Sequence, residues 1–117
     1  MAASAPDGSS HNIYLYGGKY KVSDTSYPPL PDVWILSLPS FQWVQVSNST
    51  ENSRVGHTCR NVNEHYMVTY GGFGQAPCDR YGGIQFLDLN TVQFTTKMEV
   101  DGTYSVPEKV YQVIGGR

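Results

Sequence analysis

Arg54-Val55-Gly56-His57-Thr58-Cys59, His65-Tyr66-Met67-Val68-Thr69-Tyr70-Gly71-Gly72, Gly83-Ile84-Gln85-Phe86-Leu87-Asp88-Leu89 and Val92-Gln93-Phe94-Thr95-Thr96-Lys97-Met98 follow one another within residues 54–98. These four short runs are rich in β-branched and aromatic residues. Turn chemistry separates them: Asn63-Glu64, then Gly71-Gly72, then Asn90-Thr91. The pattern predicts a complete four-stranded antiparallel blade over 54–98, with strands at 56–62, 65–70, 84–89 and 92–98.

The flanks repeat the pattern in part. Residues 12–16 read as a strand stopped by Gly17-Gly18. Residues 19–31 carry Ser26, Pro28, Pro29 and Pro31 and read as a loop. A strand over 32–38, a Pro39-Ser40 turn and a hairpin partner over 41–46 follow. Residues 1–11 are small and polar and read as a loose end. Residues 12–46 are therefore expected to form a blade missing its first strand. Residues 107–117, ending in Gly115-Gly116, are expected to start a further blade with a strand. No capped amphipathic pattern is long enough to predict a helix. The fold class is all-β.

The two units align with each other. Tyr14-Leu15-Tyr16-Gly17-Gly18 matches Val68-Thr69-Tyr70-Gly71-Gly72 at an offset of 54, from 16 to 70. Leu36-Ser37-Leu38-Pro39-Ser40-Phe41-Gln42-Trp43 matches Leu87-Asp88-Leu89-Asn90-Thr91-Val92-Gln93-Phe94 at an offset of 51, from 43 to 94. The difference falls in the loop between them, where insertions are tolerated. A blade covered by a neighbour on each side is apolar on both faces, which accounts for unbroken runs such as Val33-Trp34-Ile35-Leu36. The double glycine is expected where the backbone is crowded or φ is positive. Trp43 and Phe94 are expected to fill the space between blades.

A period near 50 residues, with Gly17-Gly18 before Trp43 and Gly71-Gly72 before Phe94, resembles the kelch-repeat β-propeller. Arg54 with Gly56-His57-Thr58 resembles the kelch first strand, and Phe94 stands where Trp is usual. The resemblance covers residues 12–116. The wording of Ile35-Leu36-Ser37-Leu38-Pro39-Ser40-Phe41, Gly56-His57-Thr58-Cys59, Cys78-Asp79 and Ile114-Gly115-Gly116 is similar to fungal kelch proteins of the galactose-oxidase-like propeller group. The resemblance implies a secreted protein or the extracellular side of a membrane protein, a cytoplasmic one being the alternative.

Composition narrows the function classes. Of 117 residues, 15% are charged and 39% hydrophobic, and the net charge is −2. No basic stripe is present to grip nucleic acid or an anionic membrane. No apolar run reaches the ~20 residues of a spanning helix, and residues 1–10 lack the pattern of a signal peptide. Propellers have ~4 to 8 blades. One whole blade and parts of two others cannot close a ring, and would leave sheet edges and apolar faces uncovered. The chain is therefore expected to be a fragment or truncated product of a longer protein. The alternative is that several copies assemble into a ring.

Candidate sites are few. Cys59 lies near the start of a first strand and Cys78 in the loop after a second strand, at the same end of the sheet. A disulfide between them is geometrically possible and would be worth ~3 kcal/mol; two unpaired cysteines are the alternative. His57, Cys59, Cys78 and Asp79 are ligand types that suit zinc or copper, but His57-x-Cys59 is a weak signal and no metal site is expected. Asn48-Ser49-Thr50 fits the N-glycosylation pattern. His57 reads as a structural histidine and His65 as solvent-facing. Copper oxidases of the resembling group gather Tyr and His ligands from several blades and another domain. Nothing here matches that set, so no catalytic residue, cofactor or enzyme activity is expected. The loops 19–31 and 73–83 occupy equivalent places and present Tyr20, Tyr27, Phe73, Arg80 and Tyr81. Aromatic and Arg side chains are common interface anchors, so a face binding an unknown protein partner is expected there.

Overall fold

The computed structural model describes residues 1–26, 28–47, 53–72, 84–95, 97–99 and 101–114. Eight strands and one helix are formed among them: β1 (Ala2–Ser4), β2 (His11–Tyr16), β3 (Val33–Leu38), β4 (Gln42–Ser47), β5 (Thr58–Val62), β6 (Tyr66–Tyr70), β7 (Ile84–Asp88), β8 (Gln93–Thr95) and α1 (Glu108–Ile114). They build two four-stranded antiparallel meanders, β1-β2-β3-β4 and β5-β6-β7-β8.

The first sheet begins earlier than expected. Ala2 pairs with Ile13, Ala3 with Asn12 and Ser4 with His11, and the Tyr14 N–H donates to the Met1 carbonyl at 2.7 Å. Residues 1–11 are therefore not a loose end, and the unit expected to lack its first strand has one. Small side chains hide this strand from a periodicity argument, because the backbone of β2 specifies it.

The registers make the two sheets copies of each other. Leu36 faces Trp43 in the first, as Leu87 faces Phe94 in the second. The β3–β4 and β7–β8 turns share a rare feature: Phe41 has φ 57° and Val92 has φ 55°. Left-handed backbone is unfavourable for large and β-branched residues, so its recurrence at equivalent positions identifies one turn used twice.

Alternation along each strand decides what is buried. In the first sheet Tyr14, Tyr16, Val33, Ile35, Val44 and Val46 point one way and form one buried cluster with Met67 and Leu87 of the second. Tyr16 meets Phe94 across the gap with ring centroids 5.2 Å apart. Phe94 thus fills the space between the sheets. Trp43 does not: it lies on the opposite face of the first sheet and is 54% exposed. The repeat explains the difference, since the Trp43 face would be covered by a blade preceding β1.

Residues 107–114 also differ from expectation, forming α1 rather than a strand. Pro107 leads the helix and its carbonyl accepts from the N–H groups of Val110 and Tyr111. Proline is suited to a helix start because the first-turn N–H groups have no internal acceptor. Val106 and Val110 are buried in the common cluster, with Ile114 packed against it. That four-residue spacing is a helical one. His65, expected to face solvent, is buried at 4% exposure. Its ring lies tilted against that of Tyr66, centroids 4.3 Å apart, and its Nδ1 lies 2.8 Å from the Asn63 carbonyl.

Candidate functional site

The end of the molecule that carries the two double glycines is also where loop 19–31 leaves the first sheet. At this end the chain crosses from one sheet to the next, and Arg54 and His57 join them. The Gly18 N–H donates to the Arg54 carbonyl at 2.8 Å, the Arg54 N–H to the Leu30 carbonyl at 3.1 Å, and the Leu30 N–H to the Gly18 carbonyl at 2.7 Å. The Arg54 side chain is 4% exposed, and its Nη1 donates to the Gly71 carbonyl at 3.0 Å. One arginine therefore ties its backbone to the first glycine pair and its guanidinium to the second.

The glycines are required here by space as well as by φ. Gly17 has φ 75°, and a Cβ on it would collide with the Arg54 carbonyl oxygen and come within 2.7 Å of His57 Cε1. Gly72 has φ 82°, and a Cβ there would lie 2.6 Å from the Val55 carbonyl oxygen and 2.9 Å from the His57 nitrogen. His57 is thus gripped between the two corners, with its ring 4.9 Å from that of Tyr16. The imidazole pKa is held below its ordinary value, first by burial and further by the Arg54 charge; a hydrogen bond with the Tyr16 backbone pulls the other way. Its Nδ1 is buried without a hydrogen-bond partner. The arrangement locks a neutral histidine in place and has the character of a structural joint.

Loop 19–31 is braced as it projects. Lys19 bridges Pro29 and Ser23 bridges Ser26, the Val22 N–H donates to the Ser26 carbonyl at 2.9 Å, and Lys21 Nζ lies 2.6 Å from Asp24 Oδ1. Tyr20 is 52% exposed on this loop. Of the residues expected to accompany it, Tyr27, Phe73, Arg80 and Tyr81 lie outside the described residues, as do Cys78 and Asn48. Cys59 sits on the face of the second sheet that packs against the first, beside the common cluster. Burial raises its thiol pKa, with the N-terminal ammonium and Arg54 acting in the opposite direction. Among the described residues no three His, Cys, Asp or Glu side chains gather into a group fit for a metal ion, and no helix is long and apolar enough to cross a membrane.

A second cluster, missed by sequence reasoning, lies deeper between the sheets. Tyr14 Oη donates to the Leu89 carbonyl at 3.0 Å and stands 2.8 Å from Tyr104 Oη. Tyr14 has one proton and gives it to the carbonyl, so Tyr104 donates to Tyr14. Asn12 Nδ2 in turn donates to Tyr104 at 3.1 Å. Burial is the main cause that raises both phenol pKa values. The chain of donors links β2, the β7–β8 turn and the segment before α1.

Two four-stranded meanders stacked face to face, with the glycine corner of one seated on the Arg-x-Gly-His corner of the next, are propeller blades of the kelch type. The sequence comparison agrees: the chain is 35% identical over 99% of its length to a kelch repeat-containing protein of Arthroderma benhamiae, and spans 21% of that protein's length. The chain is similar to a stretch of kelch-repeat sequence. No family model matches the chain, and no solved structure does.

Proposed function

We propose that the chain is a non-enzymatic protein-interaction module, part of a longer kelch propeller, that binds a protein partner through the loops 19–31 and 73–83. The observation that carries this reading is the exposed Tyr20 on a loop braced by its own backbone bridges. A rigid projecting aromatic loses little entropy on binding, and Tyr is favoured at interface centres. Tyr27, Phe73, Arg80 and Tyr81 complete the same face in this proposal. Secretion, glycosylation of Asn48 and a Cys59–Cys78 disulfide belong to it as well, and a mass measurement before and after reduction and alkylation tests the bridge.

The test places a photo-crosslinking amino acid at positions 20, 27 and 81, with position 41 at the opposite end of the sheets as control. The same protein captured from all three loop positions and not from position 41 supports the reading. Capture that is equal at position 41, or absent throughout, overturns it. The competing reading, a remnant of a galactose-oxidase-like or carbohydrate-binding propeller protein, requires copper uptake with hydrogen peroxide release on sugars or alcohols, or retention on a carbohydrate matrix.

A further inference from the structure

The sequence holds two Asp-Gly pairs, Asp7-Gly8 and Asp101-Gly102. Glycine leaves its own amide nitrogen open to the preceding carboxyl group, because no Cβ shields it. At such a pair the nitrogen can attack Cγ of the aspartate and close a cyclic imide. The fold treats the two pairs in opposite ways. At the first, the Gly8 N–H donates to the Ala5 carbonyl at 2.9 Å, and Asp7 Oδ1 accepts from the Ser9 N–H at 2.9 Å. Nucleophile and electrophile are both held. At the second, both residues are exposed, and no described residue accepts from the Gly102 N–H. The residues that follow are fixed instead. The Thr103 carbonyl accepts from Asn90 Nδ2 at 2.9 Å, and the Ser105 N–H donates to Asn90 Oδ1 at 2.8 Å.

A base stands beside the second pair. His65 Nδ1 lies 2.8 Å from the Asn63 carbonyl oxygen, which can only accept. The neutral ring therefore carries its proton on Nδ1 and a lone pair on Nε2. Gly102, at φ 121°, packs on this edge of the ring: a Cβ on it would lie 3.0 Å from His65 Cε1 and 3.4 Å from Nε2. We propose that Asp101-Gly102 is a self-modification site, at which His65 assists conversion of Asp101 to isoaspartate. With the Asp101 carboxyl in its acid form, the Gly102 nitrogen bonds to Cγ and its proton passes to His65 Nε2. The Cγ–OH bond breaks, and the hydroxyl leaves as water with the proton that His65 returns. Solvent water then opens the imide. Addition at Cγ restores Asp101. Addition at the main-chain carbonyl routes the chain through the side-chain carboxyl and lengthens the backbone by one methylene. The lengthened link directly precedes the Asn90 clamp and Tyr104, whose hydroxyl joins the hydrogen bonds between the sheets. The inference is independent of the loop-binding proposal.

Ageing of the full chain at neutral pH tests it, read by peptide mapping with electron-transfer fragmentation, which separates isoaspartate from aspartate. Position 7 of the same molecules is the internal control, and the same chain aged in guanidinium chloride is the unfolded reference. Only the fold brings His65 to Gly102. Position 101 is therefore expected to convert about tenfold faster folded than unfolded, short of the ~10²–10⁴-fold that a tuned general base supplies. Position 7 is expected to convert more slowly folded than unfolded, because its amide and carboxylate are held. This comparison needs no variant. His65→Gln, with its sheets checked by far-UV circular dichroism, is expected to slow position 101 several-fold and leave position 7 unchanged. Conversion at 101 that is no faster in the folded chain overturns the proposal. So does a folded His65→Gln chain that converts at the wild-type rate.

Discussion

Arg54 is a buried cation that hydrogen-bonds with main-chain groups of both glycine corners, the Gly18 amide and the Gly71 carbonyl. Hydrogen bonds from charged groups are worth more than neutral ones, and a buried acceptor left alone costs its desolvation. Arg54→Ala is expected to destabilise the chain by about 2–3 kcal/mol, read as a lower urea midpoint. Arg54→Lys should recover only part of this, because an ammonium lacks the planar fork of the guanidinium. An unchanged midpoint in Arg54→Ala would show that the corners hold without it. His57 gives this joint a pH dependence with a definite sign. Its folded pKa lies below that of the unfolded chain, so the unfolded chain takes up the proton first as pH falls. The contribution is complete above the unfolded value of about 6.5 and is lost as pH drops through the folded value. His57→Gln should flatten the part of the stability–pH curve that bends below that point, and an identical curve in the variant would contradict the assignment. The Arg54, Gly56 and His57 positions could be picked out from the sequence, but their partners could not. A double glycine announces positive φ or crowding, and only the fold shows that Gly17 is crowded by the following blade and Gly72 by its own.

The turns after β3 and β7 hold one strained conformation in two environments. Phe41, at φ 57°, is 74% exposed. Val92, at φ 55°, is buried in the cluster. Glycine relieves left-handed strain of roughly 1–2 kcal/mol while freeing the unfolded chain by ~0.4–1 kcal/mol. Phe41→Gly is therefore expected to raise stability by about 0.5–1 kcal/mol. Val92→Gly gains the same relief but forfeits a buried side chain worth about 1.5–3 kcal/mol, and is expected to lower stability. Thermal melts of the two variants with opposite signs would confirm the shared turn; a loss in both would mean that the Phe41 ring contributes packing despite its exposure. These turns, and strands β2 to β8, were largely readable because apolar runs and turn residues coincide. β1 was not, since Ala2, Ala3 and Ser4 carry no apolar period and are recruited by pairing with β2. The helix was missed because its seven residues resemble a repeat start, Ile114-Gly115-Gly116 copying Tyr16-Gly17-Gly18, while Val106, Val110 and Ile114 already had helical spacing.

Neither sheet has a core of its own. Ile35 and Leu87 are both fully buried, yet they belong to different sheets and share one cluster. The Tyr104–Tyr14–Leu89 hydrogen bonds cross the same gap. A lone four-stranded sheet here would uncover the face that carries Ile35 or Leu87, so the two meanders should fold and unfold as a unit despite being separate repeats. In solenoid-like arrays, stability is a sum of repeat and neighbour terms; among the described residues, the interface between these two repeats carries most of their apolar burial. Large-to-small changes in such a site cost about 2–5 kcal/mol. Ile35→Ala and Leu87→Ala should each lower hydrogen-exchange protection in both sheets, by the same free energy at Tyr14 in β2 as at Met67 in β6. Loss confined to the mutated sheet would show that each blade is stable alone. Equal loss in both sheets would instead mean that covering a blade face is what makes these sheets stable.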